Sequence, residues 1–278
     1  MNVYLLIVIY FITNLMYIIR RSEGGVGIKI DQAKCVGCWN CIPYCPMIAI
    51  KKIDTDASTA ATIDQEECVE CGVCLRSGVC KTEAIYWPEL EWPRSVRQAF
   101  SAVLMGYGAL HKAGVVGPDR PDAGGGRGTN EMKTNDITGR YKDGEVGIAA
   151  ELGRPCQGFY FRDLEKITMA MSQLGAEFEP ENPLTSLLDE KTGRITHREI
   201  LNERAMSAIV EMKVGEERAI EVLEGLRKVA KEIDTVFTVD IINKCKNGMI
   251  PVKPTLEEAG ISVRVNGKTN IGLGRPLA

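Results

Sequence analysis

The chain has 278 residues, 45% of them hydrophobic and 26% charged, with a formal net charge of −3. That length holds two domains of ordinary size with a real core, and the slightly acidic balance excludes the strongly basic surface of a nucleic-acid-binding protein. Ten cysteines against two histidines point to thiolate chemistry before any other.

The chain opens on MNVYLLIVIYFITNLMYII, with no charge before Arg20 and Arg21. About 18 such residues reach the lower limit for a helix that spans a bilayer core. A cleavable secretory signal would carry a basic start and a small-residue cleavage site, and neither is present. Residues 1–21 therefore predict an N-terminal transmembrane helix, with residues 1–19 in the cell membrane. The arginine pair then places the rest of the chain in the cytoplasm. The competing reading is a start assigned upstream of the true one.

Eight cysteines lie between residues 35 and 80. Cys35, Cys38, Cys41 and Cys45, followed by Pro46, form C-x2-C-x2-C-x3-C-P, and Cys68, Cys71, Cys74 and Cys80 form C-x2-C-x2-C-x5-C. A cubane iron–sulfur cluster needs four thiolates at alternate corners. A short loop with cysteines three residues apart supplies three of them, and the fourth must come from elsewhere. Structural zinc favours two separated C-x2-C pairs or mixed Cys/His sets, and disulfides suit small secreted scaffolds. The spacing points instead to two [4Fe-4S] clusters as cofactors.

The phrases KIDQAKCVGCWNCIPYCPMIAI and TIDQEECVECGVCLRSGVCKTEAI repeat one another as strand, Asp-Gln turn, cysteine loop, short helix and Ala-Ile. Residues 28–90 thus resemble a bacterial-type two-[4Fe-4S] ferredoxin domain. In such domains the fourth cysteine of each run ligates the other cluster. The resemblance implies that Cys35, Cys38, Cys41 and Cys80 hold the first cluster, and Cys68, Cys71, Cys74 and Cys45 the second. Two departures stand out: the last spacing is five residues, and Lys81 replaces the usual proline. Cys80 is the ligand these departures put in question.

A polar insertion, KKIDTDASTAATIDQEE, separates the two runs. From Asp54 to Glu91 nine acids (Asp54, Asp56, Asp64, Glu66, Glu67, Glu70, Glu83, Glu89, Glu91) face two bases, Arg76 and Lys81. An acidic surface beside a redox centre would steer a redox partner protein with a basic docking face; an ordinary solvated surface is the plainer reading.

Residues 91–131 read as a helix and a Gly/Pro-rich linker. YWPELEWPR breaks regular structure at its Trp-Pro pairs, and Val96, Phe100, Val103 and Leu104 fall on one helical face. Gly124, Gly125, Gly126 and Gly128 superficially resemble a phosphate loop, but no strand precedes them and no Lys-Ser/Thr follows.

Residues 132–278 predict an α/β plait domain. Val146, Ile148, Ala150 and Leu152 alternate as a half-buried strand. Leu164, Ile167, Met171 and Leu174 recur at helical spacing, with Asp163 near the start and Gly175 as the stop. AEFE, then Ala208 to Val214, suggest two further strands. A helix is expected over 216–233, with acids first and Arg227, Lys228 and Lys231 last, and TVFTVDII is a fourth strand. The order β-α-β-β-α-β is the split βαβ arrangement. Ile261, Val263 and Val265 before Asn266-Gly267, with Ile271 and Leu273 after it, add a C-terminal hairpin. The expected fold class is therefore α+β: an N-terminal transmembrane helix, a two-[4Fe-4S] ferredoxin domain, and a ferredoxin-like βαββαβ plait with a C-terminal hairpin.

Leu-Gly-Arg-Pro occurs at 152–155 and again at 273–276. Arg154 and Arg275, each after a predicted strand, could grip a carboxylate or phosphate in bidentate fashion; the plainer reading is a strand terminator with a solvated arginine. Met169, Met171, Met206 and Met212 read as core. His111 and His197 sit in no ligand spacing, and Cys156 and Cys245 read as buried thiols.

GRGTNEMKTNDITGRYKDGEVGIAAELGRP, EIDTVFTVDII and NGKTNIGLGRP resemble a family of iron–sulfur proteins of anaerobes that includes 6-hydroxynicotinate reductase. That resemblance implies low-potential electron delivery to, or reduction of, a small aromatic or acid substrate, and it designates no catalytic residue. Two redox function classes stand beside a third, a structural iron–sulfur scaffold without redox turnover. One is an electron-transfer protein that passes low-potential electrons to or from a partner oxidoreductase. The other is a ferredoxin-fused reductase with a substrate of its own. No flavin or nicotinamide fingerprint and no acid/base constellation supports the second.

Overall fold

The structure, a computed structural model, describes residues 4–11, 27–55, 58–102, 110, 139–154, 156–263 and 269–270. The N-terminal run forms a strand, β1 (Tyr4–Phe11). The cysteine region follows with β2 (Lys29–Ile30), β3 (Ile50–Thr55), β4 (Ser58–Ile63), a one-turn α1 (Val73–Arg76) and β5 (Ile85–Tyr86), and leads into α2 (Ser95–Ser101). Beyond come β6 (Glu145–Leu152), β7 (Phe159–Tyr160), α3 (Phe161–Gln173), β8 (Glu177–Phe178), β9 (Leu188–Asp189), β10 (Arg194–Ile195) and β11 (Arg204–Ala205). The remaining elements are β12 (Ala208–Gly215), α4 (Ala219–Val229), β13 (Phe237–Lys244), α5 (Lys253–Glu258) and β14 (Thr269–Asn270).

The main sheet is six-stranded in the order β14-β1-β13-β6-β12-β8, antiparallel at every pairing. This corrects the expected fold class at its start. Residues 4–11 do not form a transmembrane helix: they pair with β13 from Tyr4↔Lys244 to Phe11↔Phe237. Among the described residues no helix is long and apolar enough to cross a membrane. The physical reason is that a short, uninterrupted apolar run suits a strand as well as a helix, and periodicity alone does not separate them. Here Ile7, Val8 and Ile9 are β-branched and Tyr4, Tyr10 and Phe11 aromatic, the types that favour strands.

The C-terminal hairpin is corrected as well. Its turn at Asn266-Gly267 lies outside the described residues, Ile261–Val263 is not a strand, and Thr269–Asn270 pairs with Leu5 and Tyr4. β6, expected to be half-buried, is covered on both faces. Val146, Ile148, Ala150 and Leu152 join the main core, while Ala149 packs with Tyr141, Ile209 and Ile242 in a smaller layer. The main core gathers Phe100 of α2, Phe159 and Phe161 edge to face, with centroids 5.4 and 5.2 Å apart. Edge-to-face contact suits ring quadrupoles. Through Phe100, the segment that leaves the cysteine region is anchored in the sheet domain.

Candidate metal centres

The two cysteine runs are one backbone trace wound twice. β2 pairs with β5 through Lys29↔Tyr86 and Ile30↔Ile85, which sets the loops side by side. Asp31 N–H donates to the Ala84 carbonyl and Asp64 N–H to the Ala49 carbonyl, each at 2.8 Å. Cys35 N–H returns to the Asp31 carbonyl and Cys68 N–H to that of Asp64, each at 3.0 Å. The Gln32 amide reaches the Ala61 carbonyl at 2.9 Å and the Gln65 amide that of Ile28 at 3.0 Å. The repeated Asp-Gln phrase is thus a turn plus a cross-strut.

Left-handed backbone recurs at matched places: Gly37 and Glu70 (φ 66 and 58), Trp39 and Gly72 (55 and 68), Ile48 and Glu83 (54 and 52). A non-glycine residue in that region costs about 1–3 kcal/mol and persists only where its surroundings impose it.

This winding gathers the cysteines in sets of three plus one. Cys35, Cys38, Cys41 and Cys80 line one cavity of about 170 Å³. Cys45, Cys68, Cys71 and Cys74 line a second, tighter one of about 20 Å³, which admits a cluster only if its thiols move apart. Each set takes its fourth sulfur from the other run. Among the described residues no group of three or more His, Cys, Asp or Glu side chains is arranged to hold a metal ion. A cubane instead keeps its ligands at separate corners, around a space.

Backbone donors already face the sulfurs: Ala61 N–H to Cys35 Sγ at 3.4 Å, Ala49 N–H to Cys45 Sγ at 3.2 Å and Ala84 N–H to Cys80 Sγ at 3.2 Å. Such donors stabilise thiolates and tune bound clusters. Four thiols with backbone donors are the donor chemistry that an iron–sulfur cluster takes, and Cys80 lies on the same cavity as Cys35, Cys38 and Cys41.

The thiols differ in ionisation. Burial, with neighbouring thiolates adding to it, pushes Cys41 and Cys71 up and Cys74 up to about 12. Burial and the nearby Glu70 carboxylate push Cys68 up. At Cys80 burial acts upward too, yet the Thr82 hydroxyl and the N–H groups of Ala84, Ile85 and Thr82 together hold the thiol below its usual value. Buried thiols of this kind are inert on their own and ionise readily once a metal cation compensates them.

The two centres sit in different surroundings. β3 and β4, the polar insertion, form a hairpin over the first. Trp39 Nε1 donates to the Ala60 carbonyl at 2.8 Å, and Lys52 Nζ lies 4.1 Å from the Trp39 ring centroid. Cys38 there is exposed, whereas Cys68, Cys71 and Cys74 are all buried.

The second centre backs onto the sheet domain. Glu70, fully buried, accepts from Ile28 N–H (3.0 Å), Trp87 Nε1 (3.1 Å) and Arg94 Nε (3.0 Å) and Nη2 (2.6 Å). Glu67 is paired with Arg204, and Arg204 also donates to the Gln157 carbonyl at 2.8 Å. Two acids assigned to a docking face are therefore turned inward, while Asp54, Glu83 and Glu91 are exposed.

Outside the cysteine runs the candidates do not converge. Arg154 is paired with Glu151 at 2.9 Å, and Arg275, its expected partner in an anion grip, lies outside the described residues, as do His111 and the glycines at 124–126 and 128. His197 Nδ1 lies 3.3 Å from Glu199, which also accepts from Trp92 Nε1 at 2.6 Å. Cys156 is exposed rather than buried, and Cys245 is half-buried with its thiol raised by burial. Met171 and Met212 are core, whereas Met206 packs against the cysteine region.

Sequence reasoning missed the arginines Arg94, Arg97 and Arg204. The signal for the first two was there: they stand three apart at a helix start, on one face. No family model, curated protein or solved structure matches the chain.

Proposed function

We propose that the chain is an electron-transfer protein carrying two [4Fe-4S] clusters, the first on Cys35, Cys38, Cys41 and Cys80 and the second on Cys45, Cys68, Cys71 and Cys74. The observation that supports this is the gathering of the eight cysteines into two cavities, each with three thiols of one run and one of the other. When bound, each cluster supplies a one-electron couple. The chain's own residues would ligate, exclude water around Cys68, Cys71 and Cys74, and direct N–H donors at the sulfurs of Cys35, Cys45 and Cys80. The exposed Cys38 makes the first centre the side open to a redox partner protein. The acids at Asp54, Glu83 and Glu91 fit a basic face on that partner.

The test is iron and sulfide analysis of anaerobically purified protein, with EPR after dithionite reduction. About eight irons and the broadened spectrum of two interacting reduced cubanes are expected. Protein purified anaerobically without iron and sulfide would overturn the reading. About four irons, or a three-iron signal in oxidised samples, would overturn the assignment of Cys80.

A further inference from the structure

Arg97 lies on α2 and is only 2% exposed. Its Nη1 donates to three backbone carbonyls of the loop that leads into the second cysteine run: Gln65 at 3.0 Å, Glu66 at 3.2 Å and Cys68 at 2.8 Å. Its Nε is paired with the buried carboxylate of Glu203, just before β11 in the sheet domain. One guanidinium thus joins that domain to the backbone of a cluster loop.

Three carbonyls turned to one cation fix the orientation of three peptide units. On the other side of the loop the N–H groups of Glu66 and Glu67 donate to the Asp64 carboxylate at 3.0 and 3.4 Å. What distinguishes the loop is the cation held against its carbonyls. Positive potential near an iron–sulfur centre favours its reduced, more negative state. The matching carbonyls of the first run, those of Gln32, Ala33 and Cys35, receive no arginine among the described residues.

We propose that Arg97, held in place by Glu203, is a positioning residue that sets the second centre at a higher reduction potential than the first. With one cluster held by Cys35, Cys38, Cys41 and Cys80 and the other by Cys45, Cys68, Cys71 and Cys74, an electron supplied by a low-potential one-electron donor would be favoured on the second, the side that faces the sheet domain. This inference rests on the two-cluster reading above.

The test is an EPR-monitored redox titration of the full chain, with iron and sulfide assayed on every sample. The variants are Glu203→Gln, which leaves the Arg97 cation uncompensated beside the loop, and the double variant Arg97→Gln/Glu203→Gln, which removes both charges. Glu203→Gln should raise one of the two midpoint potentials, the double variant should lower that same one, and the other potential should stay. The double variant leaves no buried charge unpaired, so it carries the comparison should Glu203→Gln fail to fold. Both potentials moving together, or neither moving while about eight irons remain bound, would overturn the role of Arg97. Wild-type protein without iron and sulfide would instead remove the reading beneath it.

Discussion

The cysteine region and the sheet domain are stabilised by different means. The sheet domain has 8-residue strands, helices of 13 and 11 residues and a large apolar core with a smaller layer on the other face of the sheet. In the cysteine region β2 and β5 are 2 residues long, α1 is 4, and cysteines make up part of the buried layer. A chain segment of this size is marginal on its own apolar burial. What it has instead is buried Glu70 with Arg94, and eight thiols lining two cavities. A ligand-built region should then lose its fold with its ligands, while a core-built one should not.

Iron removal should produce the largest effect. Chelation under denaturant-free conditions should abolish amide-exchange protection across residues 28–90 and leave it in β6, β12 and β13. Equal loss in both regions would show that the arginine contacts weld them into one cooperative unit, and the comparison would fail.

Two substitutions sharpen it at similar cost. Phe161→Ala removes a fully buried ring that meets Phe100 and Phe159 and should cost about 3–5 kcal/mol in the sheet domain. Arg94→Ala leaves the Glu70 carboxylate buried without its cation and should cost about 3–5 kcal/mol in the cysteine region. Denaturant melts followed by the iron–sulfur absorbance and by far-ultraviolet circular dichroism should separate the two, the first variant moving the dichroism midpoint and the second the absorbance midpoint.

Gly37→Ala should have a smaller effect, confined to the first centre. Gly37 has φ +66, and a Cβ there would lie 2.4 Å from Thr59 Cγ2 and 2.5 Å from the Thr59 carbonyl oxygen in the covering hairpin. Left-handed strain alone costs about 1–3 kcal/mol, and the backbone clash adds to it. Gly78→Ala, at φ +62 with nothing within 4 Å, carries the strain without the clash. Iron should be lost on warming at a lower temperature from the first variant than from the second.

The two regions were legible in the sequence to different depths. Cysteine spacing singled out the eight thiols that line the two cavities, because a spacing is written along the chain itself. Helical and alternating periods located α3, β6 and β12, because those elements bury a face, while terminal charges marked α4 and an apolar run marked β13. β1 was not legible as a strand: Tyr4 to Phe11 has no polar residue to mark a period, and its partner strand lies more than 200 residues away. The inward turn of Glu67 and Glu70 was hidden for a related reason, since a carboxylate's partner across the fold leaves no mark beside it in the chain.

The smallest expected effect tests the sheet domain by charge. Asp163, in the first turn of α3, has a side chain 1% exposed, and Lys166 3.3 Å from Oδ1. Oδ2 is buried without a hydrogen-bond partner among the described residues. Burial pushes this carboxyl above its usual range, against the pull of Lys166 and Arg162. A carboxyl raised in the folded state contributes stability below its unfolded value, near 3.9. That contribution is lost as pH rises through the folded value. At neutral pH the buried carboxylate is therefore a burden, offset only by an ion pair to a lysine that is 45% exposed, of the kind worth about 0–1 kcal/mol. Asp163→Asn should raise the Tm of the sheet domain at pH 7, and the gain should shrink as pH falls towards 4. A lower Tm at pH 7 would mean that the contacts of the carboxylate with Lys166 and the start of α3 outweigh its desolvation.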